Sequence, residues 1–429
     1  MRYHLAVAAI LIPILACQPD ANPSGLTSPP TASRQAVATE ALASPGWQAT
    51  AATLVTQANL AAVVATRAYS EVGVAQYWAV QRAEGDNGDG DQDNEAGGRS
   101  RPATDRGAIA GASAVVLSYL FPTKVQVVED LVTAQRNAIV GERSQTAFAR
   151  GEAIGRAVGA EIVARAQADG FSTPFAGTIP TGPGLWISNT TPATIAGGPL
   201  PGVRSWFLKS ASQFRPGPPP AFGSPEFLAA LAEIRQISDT RTADQIRIAA
   251  FWAQGVGTPT TAAFWLQVAT DGINQHGLSE RRATHLYALL SATMFDAQIG
   301  CWDAKETYWF VRPWQADAGI TVVAAVGKPN HPSYPSGHSC ISASAASVLT
   351  AFFPEEREQL DSMVTEAGRS RMYGGIHYGF DIAAGQQLGR SVARFTLRKD
   401  RSGHSVLTLN DGEQDRVSRS FSWEARSAP

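Results

Sequence analysis

Lys305-Glu306-Thr307-Tyr308-Trp309-Phe310-Val311-Arg312-Pro313, Pro335-Ser336-Gly337-His338 and Ser370-Arg371-Met372-Tyr373-Gly374-Gly375-Ile376-His377-Tyr378-Gly379-Phe380-Asp381 form one ordered block in the last third of the chain. Lys305 and Arg312 are seven residues apart, so a continuous helix would carry both cations on one face, two turns apart, before Pro313 stops it. Pro335-Ser336-Gly337-His338 opens an apolar Ala/Ser-rich segment. It is expected to be a helix N-terminus, with free backbone N–H groups, a Ser336 hydroxyl, close backbone approach at Gly337 and an acid/base at His338. Arg371 adds a third permanent cation. Gly374 and Gly375 break the preceding helix and set His377 at the next helix entrance, with Asp381 four residues on. Three cations, a hydroxyl, an amide donor and two imidazoles are what a tetrahedral oxyanion with an in-line nitrogen nucleophile requires.

Each piece alone also has a plain structural reading: a solvated helix face ending at proline, a helix cap, a local hydrogen bond. Eleven residues in order (Lys305, Arg312, Pro313, Pro335, Ser336, Gly337, His338, Ser370, Arg371, His377, Asp381) outweigh those readings together. Around the block the apolar spacing is helical. The pattern predicts one long helix or a pair over 47–83, then helices near 104–119, 124–142, 146–169, 226–237, 241–254, 259–275, 279–312, 337–353, 355–371 and 376–396. No alternating strand pattern, nucleotide-binding glycine fingerprint or internal repeat interrupts them. The expected fold is an all-α bundle, one domain over 46–405, with no transmembrane helix after the leader and a soluble body. Residues 171–224, rich in Gly, Pro, Thr and Trp, are expected to drape over the body and line a site.

The start of the chain supplies an address. Arg2 and His4 precede an apolar run, Leu5 to Ala16, too short to span a bilayer, so 1–17 reads as a signal peptide. Ile14-Leu15-Ala16-Cys17 reads as a lipobox with Cys17 acylated, Gln18 favours the outer membrane, and 18–45 reads as a flexible tether. The expectation is an exported protein of a bacterial envelope (outer membrane or periplasm), touching membrane only through its anchor. Residues 406–429 read as a polar tail.

The chain has 429 residues, of which 44% are hydrophobic and 17% charged, with a net charge of -2. That balance excludes a nucleic-acid-binding surface and a disordered chain. Three cysteines exclude a disulfide scaffold or zinc ribbon, and a Cys301–Cys340 bridge is permissible but left open. Residues 84–95 form an acidic glycine-rich loop, but Asn94 stands where a calcium loop needs glycine and Ser100 where it needs glutamate, so a solvated loop is the reading. No HExxH or clustered Cys/His set supports iron, copper or zinc, and His276, His285 and His404 are given no role.

The eleven-residue set resembles the signature of the vanadium haloperoxidase and type 2 phosphatidic acid phosphatase (PAP2) superfamily. There are 21 residues between Pro313 and Pro335 and 31 between His338 and Ser370. The resemblance implies a helical bundle in which Lys305, Arg312, Ser336, Gly337 and Arg371 grip the oxyanion. His377 would bind the vanadium of vanadate, or attack phosphorus in a phosphatase; His338 would be the acid/base and Asp381 a support. Flanking residues lean toward the peroxidase branch. Trp302 resembles a tryptophan of the halide pocket, His331 sits where bromoperoxidases carry His, and His377-Tyr378-Gly379-Phe380-Asp381 resembles the haloperoxidase HWRFD. Phe251 to Pro259 is similar to an upstream stretch of that branch, with Gln254 where an acidic residue is expected. The implied activity is vanadate-dependent oxidation of halide, bromide favoured, by hydrogen peroxide. The alternative is a soluble acid phosphatase hydrolysing phosphomonoesters through a phosphohistidine without a cofactor. A third reading is a non-catalytic surface lipoprotein. The oligomeric state is left unknown.

Overall fold

The apolar spacing of the sequence becomes thirteen α-helices among the residues that the computed structural model describes, 42–88, 97–403 and 405–407. Cys17 with the expected leader, the expected tether to residue 41, His404 and the tail from 408 lie outside the described residues, as do 89–95 of the expected acidic loop; its first residues, 84–88, and the last of the expected tether, 43–45, are helical instead. The helices are α1 Ala43–Gln57, α2 Ala62–Gly88, α3 Gly97–Leu120, α4 Val125–Asn137, α5 Glu142–Gln167, α6 Pro225–Thr240, α7 Ala243–Phe251, α8 Thr260–His276, α9 Glu280–Tyr308, α10 Pro313–Ala316, α11 Gly337–Phe352, α12 Arg357–Tyr373 and α13 Gly379–Arg401. None is long and apolar enough to cross a membrane. The stretch 47–83 is a pair, and α1 begins ahead of its apolar pattern for a remote reason. Its free Ala43 and Ser44 N–H groups donate to the Glu280 carboxylate at 2.7 and 3.0 Å, a cap supplied 237 residues away.

The α9 helix is the axis of the bundle. From Leu286 to Lys305 it is buried on every side, as expected of a helix surrounded by others. Small residues let its neighbours close in. In the α3–α5 pair, a Cβ added at Gly107, Gly151 or Gly155 would lie 2.0 Å from a carbonyl oxygen of the facing helix, so backbone meets backbone. The same device joins α13 to α11: a Cβ at Gly385 would sit 2.6 Å from the Ser336 carbonyl, and one at Gly389 2.3 Å from that of Cys340. This second contact sets the depth at which the Ser336 turn meets the start of α13. A smaller, aromatic core of Phe227, Phe310, Trp314 and Tyr378 backs the same region from the other side.

One expectation is corrected. Lys305 and Arg312 do not share a helix face, because α9 ends at Tyr308. Trp309 adopts a left-handed conformation (φ 46°), its N–H returning to the Lys305 carbonyl and its own carbonyl accepting from Trp186 N–H at 2.7 Å. Arg312 is extended, as a residue before proline must be, and Pro313 starts α10 rather than ending α9. The two cations converge through a chain reversal, with Leu185 and Phe310 forming an isolated antiparallel bridge.

Residues 171–224 hold only two short 3₁₀ turns, Leu200–Gly202 and Ala211–Phe214. They stay ordered because α9 supplies acceptors. The fully buried Asp296 carboxylate accepts from the N–H groups of Trp206, Phe207 and Leu208 at 2.8, 2.7 and 3.1 Å. Replacing Asp296 by Ala strands three donors, two of them buried, each worth about 1–3 kcal/mol when buried and unmade. The expected result is a loss of at least about 3 kcal/mol in urea unfolding, with proteolysis beginning inside 171–224.

Candidate active site

Three chain reversals bring the quoted residues together. The turn after α9 delivers Arg312, and the start of α11 delivers Ser336 as its N-cap with Gly337 and His338 in its first turn. The break between α12 and α13 delivers His377, with Gly375 at φ 76° completing the break. Arg371 comes from the last turn of α12 and Lys305 from the last turn of α9. Lys305 and Arg312 are wholly buried, Arg371 is 1% exposed and His377 2%.

The hydrogen bonds assign the imidazole protons. Arginine only donates, so His377 Nε2, 3.1 Å from Arg312 Nη1, is an acceptor and carries its lone pair there. Its proton then sits on Nδ1, donated to Asp381 Oδ2 at 2.8 Å. Asp381 Oδ2 also accepts from Ser333 Oγ at 2.6 Å and from Tyr378 N–H at 3.1 Å, while its buried Oδ1 has no hydrogen-bond partner. By the same argument His331 Nδ1 accepts from Arg312 Nη2 at 3.0 Å, and His338 must donate from Nε2 to the Trp252 carbonyl at 2.9 Å. His338 is left with a lone pair on Nδ1 as its base.

Each cation is also tied to backbone. Lys305 Nζ donates to the carbonyls of Pro332, Ser333 and Pro335. Arg312 donates to those of His331 and Ile376 at 3.0 and 2.7 Å. Arg371 donates to Ser370 Oγ and to the Ala249 carbonyl of α7. In this arrangement all three Lys305 protons are committed, so gripping an anion requires Lys305 to exchange a carbonyl for it.

Burial dominates the electrostatics. It pulls Lys305 down to about 8, Arg312 to about 10 and Arg371 to about 9. Asp381 is pushed up to about 6 by burial, against the pull of Ser333, Lys305 and Arg312. Burial first, and neighbouring cations second, hold His331, His338 and His377 well below the ordinary imidazole value, so all three are neutral. Asp381 acts on Lys305 and Arg312, but no carboxylate acts on Arg371. The site is therefore a buried excess of positive charge beside a nitrogen lone pair. That donor set suits a tetrahedral oxyanion, vanadate or a phosphoryl group alike.

The expected flanking residues join it. The Trp302 ring lies 5.0 Å from that of His331 and 5.7 Å from Lys305 Nζ, its Nε1 donating to the Ala196 carbonyl of the irregular segment. A Cβ at Gly337 would touch the Trp302 ring at 3.5 Å. Gln254 does not reach the site: its amide turns back to the Phe251 carbonyl at 2.9 Å. Cys301 and Cys340 are free thiols, wholly buried and hydrogen-bonded to each other, one turn behind Lys305 and Ser336 respectively. Ser333 and the carbonyls of Ala249 and Trp252 were not singled out by sequence. Ser333 had only its place in the motif turn to mark it. Outside the site, His276 pairs with Glu355 and Glu356, and His285 with Asp400.

Two outcomes follow from the charge balance. Orthovanadate or orthophosphate at a hundred times its dissociation constant stabilises the fold by about 2.7 kcal/mol, read as a rise in melting temperature. The second concerns acid. His338 is neutral when folded and free to protonate when unfolded, so its contribution is intact above about 6.5, the ordinary value, and is lost as pH falls from there toward the depressed folded value. His338→Gln removes this loss, so the variant should tolerate acid better than the parent in unfolding curves taken between pH 7 and 4.

Comparison with known proteins bears on this geometry. Residues 284–401 match the sequence model of the PAP2 superfamily. Over 175 residues the chain is 29% identical to a non-specific acid phosphatase of Providencia stuartii, a match covering 39% of this chain and 66% of the phosphatase, just under two thirds of its length. Among solved structures the fold is similar to a bacterial vanadium-dependent iodoperoxidase, with a TM-score of 0.66 and 24% identity over 83% of this chain and 96% of that one. It is also similar to a bacterial vanadium-dependent chloroperoxidase in its holo form, with a TM-score of 0.61 and 13% identity over 81% and 92%. At these identities the two structures speak for the helical architecture alone. The segment that matches the PAP2 superfamily, 284–401, carries all eleven motif residues, so the likeness lies in the part of the chain that builds the site.

Proposed function

We propose that this protein is a vanadate-dependent haloperoxidase, using hydrogen peroxide to oxidise bromide or iodide. The observation that carries the reading is the His377 Nε2 lone pair held against the buried Arg312, with buried Lys305 acting on both and buried Arg371 acting on His338. The likeness of fold to haloperoxidases over more than four fifths of the chain supports it. Vanadate, when bound, activates peroxide for two-electron oxidation of a halide. The three cations and the Ser336 turn would hold its oxygens and His377 its vanadium. Asp381 keeps the His377 proton on Nδ1, so Nε2 holds a lone pair that accepts from Arg312 Nη1 here and would be exchanged to the ligand. His338 takes and returns a proton at Nδ1, oriented by the Trp252 carbonyl on its other nitrogen. Trp302 and His331 form a wall on which a halide can approach, with the Lys305 charge close behind the indole.

The sequence likeness to an acid phosphatase favours a second reading. Here the same lone pair attacks phosphorus as the ester P–O bond breaks, the cations neutralise the equatorial oxygens, the leaving alkoxide takes its proton from water, and His338 Nδ1 then accepts a proton from the water that cleaves the phosphohistidine. The test is the purified chain, stripped of phosphate, with bromide or iodide oxidation and chromogenic phosphomonoester hydrolysis followed in parallel as vanadate is added. Halide oxidation that appears only with vanadate is expected. Ester turnover that vanadate suppresses would replace the proposal with the phosphatase. His377→Ala should abolish either activity while far-ultraviolet circular dichroism is unchanged. Arg371→Lys keeps the charge but loses the planar fork, and should weaken vanadate roughly tenfold, the worth of one charge-assisted hydrogen bond.

A further inference from the structure

A second concentration of positive charge lies at the far end of the helices that build the site. Along α13, Arg390, Arg394 and Arg401 recur at helical spacing on one face. Together with Arg357, at the start of α12, they line a cleft of about 520 Å³ floored by the C-terminal half of α11. Asp361 is the carboxylate lining it, so four arginines less one aspartate leave a local charge of +3. Glu355 and Glu356, nearby in sequence, turn to His276, and Asp400 turns to His285.

These arginines contrast with those that the fold pairs with carboxylates. Arg67, Arg82, Arg156 and Arg215 each lie within 3 Å of a carboxylate. Among the described residues Arg357, Arg390, Arg394 and Arg401 have no ion-pair partner, and Arg394 makes one hydrogen bond, to Ser391 Oγ. Four like charges gathered around a single aspartate repel, and an anion between them relieves that repulsion. Guanidinium forks match phosphoryl oxygens two at a time. Arg390 to Arg401 spans about 16 Å at 1.5 Å per residue, further than one phosphate reaches. The cleft starts about 14 Å along α13 from Asp381, so a ligand there does not occupy the cradle.

We infer that this cleft is a second anion site, taking a ligand with more than one phosphoryl group, either a soluble oligophosphate or the headgroups of an anionic lipid surface. It stands independently of the reaction proposed for the cradle. The test uses methylenediphosphonate, whose P–C–P link resists hydrolysis, titrated calorimetrically into the full chain and into the doubly substituted Arg390→Gln/Arg394→Gln chain. Both positions are at the surface, so the fold should persist, and vanadate binding at the cradle serves as the control. Binding that weakens at least tenfold in the variant, with vanadate binding unchanged, is expected. Cosedimentation with phosphatidylglycerol vesicles then separates the sources. Capture of the parent chain but not the variant assigns the site to a membrane surface; diphosphonate binding without capture assigns it to a soluble ligand. Equal diphosphonate affinity in parent and variant, or none in either, overturns the inference.

Discussion

Three positive charges held out of water, Lys305 acting on Arg312 and Arg371 acting on His338, are the constraint on which the rest of the molecule depends. Burying an unpaired cation is costly, and Asp381 offsets only part of that cost. The fold meets the remainder with backbone. Lys305 gathers the carbonyls of the Pro332–Pro335 turn, Arg312 joins that turn to the His377 loop, and Arg371 reaches across to α7. Each cation therefore pins a different pair of elements. The groups that make the site attractive to an oxyanion are the same groups that hold its walls in register, so site and scaffold share their electrostatics.

Close backbone approach fixes the remaining distances. Gly385 and Gly389 bring α13 against α11 with no side chain between, which places the Ser336 turn and the Asp381 carboxylate at one depth; Ser336 N–H donates to the Asp381 carbonyl at 2.9 Å. A methyl at either glycine would push the Ser336 turn and the start of α13 apart at once.

Much of this was legible in sequence. Helical periodicity located nearly every helix, because most of them bury one apolar face. The order and spacing of the motif residues located the site, because the cradle is assembled from short segments that each carry their own chemistry. The rest depended on partners far along the chain. The start of α1 is capped by Glu280, and the irregular segment is held by Asp296; neither leaves a local trace. The end of α9 was readable in principle, since the residue before Pro313 had to be extended, yet the even seven-residue spacing of Lys305 and Arg312 suggested a shared helix face. Ser333 carried no signal that set it apart from a turn residue.

The thiols behind the cradle have a use that is independent of catalysis. Cys301 and Cys340 are reduced, solvent-free and placed on the two helices whose separation defines the site. An alkylating reagent reaches them only when α9 and α11 come apart. Among the described residues they are the cysteines of the chain. Their rate of labelling is thus an internal clock for the opening of this seam, one that needs no added fluorophore and no knowledge of the substrate.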